Sequence, residues 1–133
     1  MSKPRPSLLR ERSMITKICW GILLAIHSIP ALALFRPVLI SKIYHVDAAS
    51  PLFLLLQHRA ALFLVICVMC VWSIVRPETR PLATVAVGVS MLSFLWLYWA
   101  SGSPPALRSI ALADLAGLPF LAFVGWQAFG ATR

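Results

Sequence analysis

A small set of polar side chains interrupts the apolar stretches of this chain, and these are the residues whose types could do chemistry. They are His27, Gln57, His58, Arg59, Ser90, Ser93 and Asp114. An ionisable group in an apolar stretch is costly to bury unless it is paired or hydrated, so each one needs an explanation. The residue types allow an ion pair, a ligand contact, proton transfer or histidine ligation of a metal.

Arg59 and Asp114 have opposite charges, and a buried ion pair is the natural way to neutralise both. Such a pair can fix the register of two helices without any chemistry. It can also belong to a binding site, because small-molecule sites combine an apolar cavity with a few convergent polar groups. A proton relay is the third interpretation. The residue types alone do not decide among the three, and we assign no catalytic residue.

Histidines and cysteines are the candidate metal or redox groups. His27 and His58 could approach each other across helices and ligate haem, but no sequence spacing enforces this, and a hydrogen bond from His27 to a neighbouring helix is the simpler interpretation. Cys67 and Cys70 form a C-x-x-C within an apolar stretch, where we interpret them as small packing residues. We therefore predict no metal site and no disulfide framework.

Motifs of the common enzyme classes are absent from the sequence. It contains no Gly-rich phosphate loop, no G-x-S-x-G and no H-E-x-x-H. Its polar segments are too short for a nucleotide-binding domain. A non-catalytic protein is therefore favoured, and an enzyme is the alternative.

The elements that carry these residues are predicted from hydropathy. Of the 133 residues, 60% are hydrophobic and 12% are charged, whereas soluble domains carry about 25% charged residues. Four apolar stretches are long enough to cross a hydrocarbon core of about 30 Å. The sequence predicts an all-α, integral membrane four-helix bundle that forms a single domain over residues 1–133. A basic tail covers residues 1–17, and the spans cover residues 18–35, 52–75, 82–100 and 110–129.

The distribution of Lys and Arg predicts the orientation. Eight cations lie in the tail, the second connection and the C-terminus, against three in the other connections. By the positive-inside rule both termini are cytoplasmic, which suits a multi-pass protein of a bacterial inner membrane. The net charge of +8 comes largely from the tail, so no nucleic-acid partner is expected. Trp96, Tyr98 and Trp99 then fall in the outer interface.

Two local features have alternative interpretations. The basic tail, the apolar run to Ile29 and the small residues from Ala31 also fit a cleavable signal peptide. In the longest connection, Leu39, Ile43 and Val46 share a helical face, which favours a short interfacial helix. An irregular loop is the alternative there.

Depth links the polar residues to one another. At about 1.5 Å per residue, Arg59 lies about 12 Å from the start of its span, and Asp114 and His27 lie about 12–15 Å from the same side. Ser90 and Ser93 reach a similar level. We therefore predict a polar layer in the outer half of the bundle. Close packing is suggested weakly by small-xxx-small pairs. These pairs are Gly21 with Ala25, Thr84 with Gly88, and Ala113 with Gly117.

Four short motifs resemble those of small bacterial four-helix membrane proteins of the DoxX-like type. They are Gln57-His58-Arg59-Ala60, Arg76-Pro77, Met91-Leu92-Ser93-Phe94 and Ala111-Leu112-Ala113-Asp114. Members are largely of unknown function, and better-known relatives are associated with quinone-linked sulfur oxidation or membrane redox complexes. The resemblance implies that His58, Arg59 and Asp114 are candidates for a quinone or lipid-like ligand site.

The leading hypothesis is a non-catalytic membrane protein that binds a small amphipathic ligand, a quinone or a lipid, or serves as an accessory subunit of a membrane complex. Its partners are then the bilayer and either other membrane subunits or further copies of itself. A quinone- or haem-linked redox subunit is the alternative, with haem the weaker cofactor candidate. A small transporter is the second alternative, but no inverted repeat is apparent.

Overall fold

The computed structural model describes residues 6–130, except for the side chains of residues 6, 8 and 9. The predicted tail cations Lys3 and Arg5 and the C-terminal Arg133 lie outside the described residues. Within this range the chain is helical and contains no strand. The helices are α1 (Pro6–Leu32), α2 (Val38–Tyr44), α3 (Pro51–Val75), α4 (Arg80–Ala100) and α5 (Arg108–Gly130).

Four of these helices, α1, α3, α4 and α5, are long and apolar enough to cross a membrane. Their outward surfaces carry large hydrophobic side chains, for example Leu54 and Val75, which are each 69% exposed. A soluble protein rarely exposes apolar surface on this scale. The four helices therefore suggest a multi-pass membrane protein, as the hydropathy predicted.

The first helix differs most from its predicted bounds, because it begins at Pro6 rather than at residue 18. Arg and Lys are good helix formers, so the basic segment continues the helix beyond the apolar run. The Thr16 hydroxyl donates to the Arg12 carbonyl at 2.8 Å within this extension. The helix ends two residues after Pro30. The chain then forms a turn in which the Ala33 N–H donates to the Pro30 carbonyl, three residues back rather than the four of an α-helix.

Helix α3 begins directly after Ser50, which is its N-cap. Its hydroxyl accepts a hydrogen bond from the Leu52 amide at 3.2 Å, and Pro51 occupies the first helical position. At the other end of α3 a single turn, Pro77–Thr79, leads directly into α4. Thr79 does not cap α4; its hydroxyl donates to the Arg76 carbonyl instead.

The longest connection contains the short helix α2 rather than an irregular loop. Ile40 is fully buried against Ala33 and Ala60. Leu39 is half-buried and packs on the same cluster, whereas Lys42 is exposed. The predicted helix is thus present, but Ile40 contributes most to its contact with the rest of the chain.

Packing among the long helices is uneven. Helix α1 packs against both α3 and α5, and α4 packs against α5, whereas the contact between α3 and α4 is the smallest among the neighbouring long helices. The core lies between α1, α4 and α5, where Trp20, Leu23, Val87, Met91 and Val124 are buried. The four long helices therefore form an arc in the order α3, α1, α5, α4, with a gap between α3 and α4. One end of this arc carries α2 and the α4–α5 connection, and we call it the α2 end.

Candidate functional site

Arg59 occupies the centre of the candidate site, on the third turn of α3. Its Cζ atom lies 5.0 Å from the ring centroid of Phe63, 5.5 Å from that of Phe94 and 5.8 Å from that of Tyr44. The three rings come from α3, α4 and α2. The faces of aromatic rings attract a guanidinium within about 6 Å. We call Tyr44, Phe63 and Phe94 the aromatic cage.

The guanidinium of Arg59 has no hydrogen-bond acceptor and no ion-pair partner among residues 6–130. The expected ion pair with Asp114 is not formed, since the one ion pair of the described residues joins Arg76 and Glu78 on the surface. Asp114 is half-buried and feels the charge of Arg59 only from beyond ion-pair distance. The five N–H donors of Arg59 therefore make no hydrogen bond with the described residues.

A groove of about 730 Å³ opens beside Arg59, in the gap between α3 and α4. Most of its lining is apolar, and the polar exceptions besides Arg59 include Ser90 and Ser93. The Ser93 hydroxyl donates to the Ser90 carbonyl at 3.3 Å, within α4. Volumes of about 300–1,000 Å³ are typical of sites that enclose drug-sized ligands. The lining residues are Arg59, Leu62, Phe63, Val65, Ile66, Met69, Ala86, Val89, Ser90, Ser93, Phe94, Leu97, Tyr98, Ser101, Pro104 and Leu107.

His27 lies beside the aromatic cage rather than in the groove. It is 1% exposed, and its ring centroid lies 5.8 Å from that of Phe63. Its Nδ1 atom lies 2.8 Å from the carbonyl oxygen of Leu23. A carbonyl only accepts, so Nδ1 carries the proton, and Nε2 of the neutral ring is an acceptor with no partner among the described residues. The hydrogen bond is therefore local to α1 and does not reach a neighbouring helix.

The two residues that precede Arg59 point away from the groove. Gln57 is half-buried and His58 is exposed, and neither lines the groove. His27 and His58 therefore do not face a common cavity that would hold a haem. In the part of the chain that the structure describes, no group of three or more His, Cys, Asp or Glu side chains is placed to hold a metal ion.

The buried cysteines also stay apart from the site. Cys67 is 7% exposed and Cys70 is fully buried on the side of α3 that faces the core, and both are free thiols. Neither lines the groove. The geometry fits the interpretation of the C-x-x-C as packing residues.

The aromatic cage is the part of the site that the sequence did not indicate. Phe63 follows Arg59 by one helical turn, and this i, i+4 spacing is the signal that could have found it. Tyr44 and Phe94 come from other helices and give no such signal. Tyr98 is only 9% exposed and stacks on Phe94 at 6.2 Å, whereas Trp96 on the same helix is 72% exposed.

No protein-family model, curated protein or solved structure matches the chain. The resemblance to DoxX-like proteins therefore stays a prediction.

Proposed function

We propose that this protein is a non-catalytic, multi-pass protein of a bacterial inner membrane that binds a small amphipathic molecule, a quinone or a lipid, between α3 and α4. Its termini are cytoplasmic in this proposal, and the α2 end faces away from the cytoplasm. The groove between α3 and α4 is also available to a helix of a further membrane subunit or of a second copy of the chain. The observation that carries the proposal is the half-buried guanidinium of Arg59 at the wall of an apolar groove, where it has no acceptor among residues 6–130.

The shape of the groove supports an amphipathic occupant. It opens sideways between two helices that are long enough to span a bilayer, so an occupant could enter from the hydrocarbon phase without crossing water. Apolar side chains suit a hydrocarbon or isoprenoid tail, whereas Arg59 and the hydroxyls of Ser90 and Ser93 suit a polar head.

The DoxX-like resemblance is part of the same proposal. Three residues of its quoted motifs, Arg59, Ser93 and Phe94, line the groove. His58, which the resemblance also implicates, is exposed and contributes no side chain there. The redox alternative has less support, because it needs His27 and His58 to act on one cofactor.

Analysis of the lipids and quinones that co-purify with the protein tests the proposal. Val89 lines the groove, and Val85 lies one turn away on α4, outside it and 53% exposed. Val89→Trp fills the groove, and Val85→Trp adds the same ring at a matched position. We expect at least tenfold less bound amphiphile after extraction of Val89→Trp than of wild type or Val85→Trp. Equal amounts in all three proteins would contradict the proposal.

A further inference from the structure

We infer that the occupant of the groove carries one anionic head group, a carboxylate or phosphate, on a single hydrocarbon chain, and that Arg59 binds this head group. The inference rests on the proposed function and names the class of ligand. Three properties of the groove lead to it: its charge, the position of Arg59 and its length.

The charge of the groove is positive, and no ion pair neutralises it among the described residues. Arg59 is the only charged residue of the range 6–130 that lines the groove, and the carboxylate of Asp114 lies outside this lining. The fork of guanidinium N–H donors matches the oxygens of a carboxylate or phosphate, with which arginine forms paired hydrogen bonds. A neutral quinone would leave a half-buried cation without an ion-pair partner, which is costly in a medium of low dielectric constant. An anion removes this cost.

The aromatic cage holds the guanidinium where a head group would lie. Side chains on a helix lean toward its N-terminus, and the N-terminus of α3 is at the α2 end. The contact with Tyr44 of α2 shows that the guanidinium has reached toward that end. Arginine side chains in membranes place their charge toward the interface in the same manner. The head group thus binds near the interface, and its chain points toward the middle of the bundle.

The length of the groove fits one chain of one leaflet. On α3 its lining runs from Arg59 to Met69, and on α4 it runs from Ala86 to Tyr98. These stretches are about 15 and 18 Å long at the helical rise of about 1.5 Å per residue. Each equals roughly half of a hydrocarbon core of about 30 Å. A volume of about 730 Å³ is in the range that encloses a drug-sized ligand. A phospholipid with two chains would leave much of its apolar surface outside.

Binding of oleate and of oleyl alcohol to the purified protein, in nanodiscs of phosphatidylcholine at pH 8, tests the inference. The two probes share a chain and differ in the charge of the head. We expect wild type to prefer oleate by roughly tenfold or more, since hydrogen bonds between charged groups are the stronger ones. Arg59→Gln should lose this preference but still bind oleyl alcohol as wild type does, and Val89→Trp should bind neither probe. Asp114→Asn should bind oleate more tightly, because it removes a nearby negative charge.

Each other result has a definite meaning. Equal binding of both probes by wild type would overturn the anionic head group but leave the proposed function standing. Binding of neither probe, together with the absence of any co-purified amphiphile, would overturn both. Tighter binding of phosphatidylglycerol than of oleate would overturn the single chain. A thermal unfolding midpoint of Arg59→Gln close to that of wild type shows that its loss of preference does not come from misfolding.

Discussion

The guanidinium carbon of Arg59 lies 5.0 Å from the ring centroid of Phe63, one turn farther along α3. Phe94 and Tyr44 extend the same kind of contact to α4 and α2. Each contact of this kind contributes about 0.5–2 kcal/mol, depending on how far the cation is removed from water. The faces of these aromatic rings, rather than the carboxylate of Asp114, therefore hold the guanidinium of Arg59 in place.

A charge swap distinguishes the aromatic cage from a register-fixing ion pair. Arg59→Asp places a carboxylate against the negative faces of three rings, and Asp114→Arg in the same chain does not relieve this. We expect the double variant to unfold at a lower temperature than wild type, as followed by tryptophan fluorescence in detergent micelles. Arg59→Met loses the three ring contacts but retains the apolar stem and places no charge against the rings, so it should lower the midpoint less than the charge swap does.

Recovery of the wild-type midpoint by the double variant would contradict this prediction. In that case Arg59 and Asp114 would pair in the membrane, and their role would be to fix helix register. The single Asp114→Arg variant is the control that separates rescue from simple tolerance of the new arginine.

Depth along the helices was predictable because the rise per residue is constant. Counting from the helix ends placed Arg59, His27 and Ser93 at one level of the bundle. In the structure Arg59 contacts Phe94, which follows Ser93, and His27 contacts Phe63, which follows Arg59 by one turn. The start of α3 also has a signal in the sequence, since Pro51 follows the capping residue Ser50.

Rotation of each helix about its axis was not predictable. Helix α3 is apolar around most of its circumference, so its sequence does not indicate which face turns inward. Arg59 consequently meets aromatic rings rather than Asp114, and His58 is exposed. The gap between α3 and α4 arises from the packing of all four long helices, and no single segment encodes it.

Gly117 tests the close packing suggested by the small-residue pairs. A Cβ atom there would lie 2.6 Å from Met91 Cε and 2.9 Å from Ile26 Cδ1. Overpacking of this kind lowers the free energy of unfolding by about 1–3 kcal/mol. The higher helix propensity of alanine raises it by at most about 1 kcal/mol. We therefore expect Gly117→Ala to lower the unfolding midpoint.

Gly21→Ala is the matched control, because no atom lies within 4 Å of a Cβ built there. It should be neutral or stabilising, by up to about 1 kcal/mol from helix propensity. The same loss of stability in both variants would show that the helix contacts at Gly117 do not decide the result.

The topology of the chain can be read by cysteine labelling. The native thiols Cys19, Cys67 and Cys70 are buried and give little background. Ser103 and Glu78 are exposed in connections at opposite ends of the bundle. We expect a membrane-impermeant maleimide to label Ser103→Cys in intact cells and Glu78→Cys only after lysis. The reverse pattern would invert the orientation, and equal labelling of both would contradict a membrane-spanning bundle.

Substitution of His27 tests whether this residue has a structural role or binds the ligand. Its Nε2 atom is buried without a partner among the described residues, and an unsatisfied buried polar group costs about 1–3 kcal/mol. Its Nδ1–H bonds only to the Leu23 carbonyl within α1. We therefore expect His27→Leu to raise the unfolding midpoint and to leave oleate binding unchanged, whereas His58→Leu, at an exposed position, should change neither. Loss of oleate binding in a stable His27→Leu protein would instead place Nε2 in contact with the ligand, and the groove would then have to open toward α1 when it is occupied.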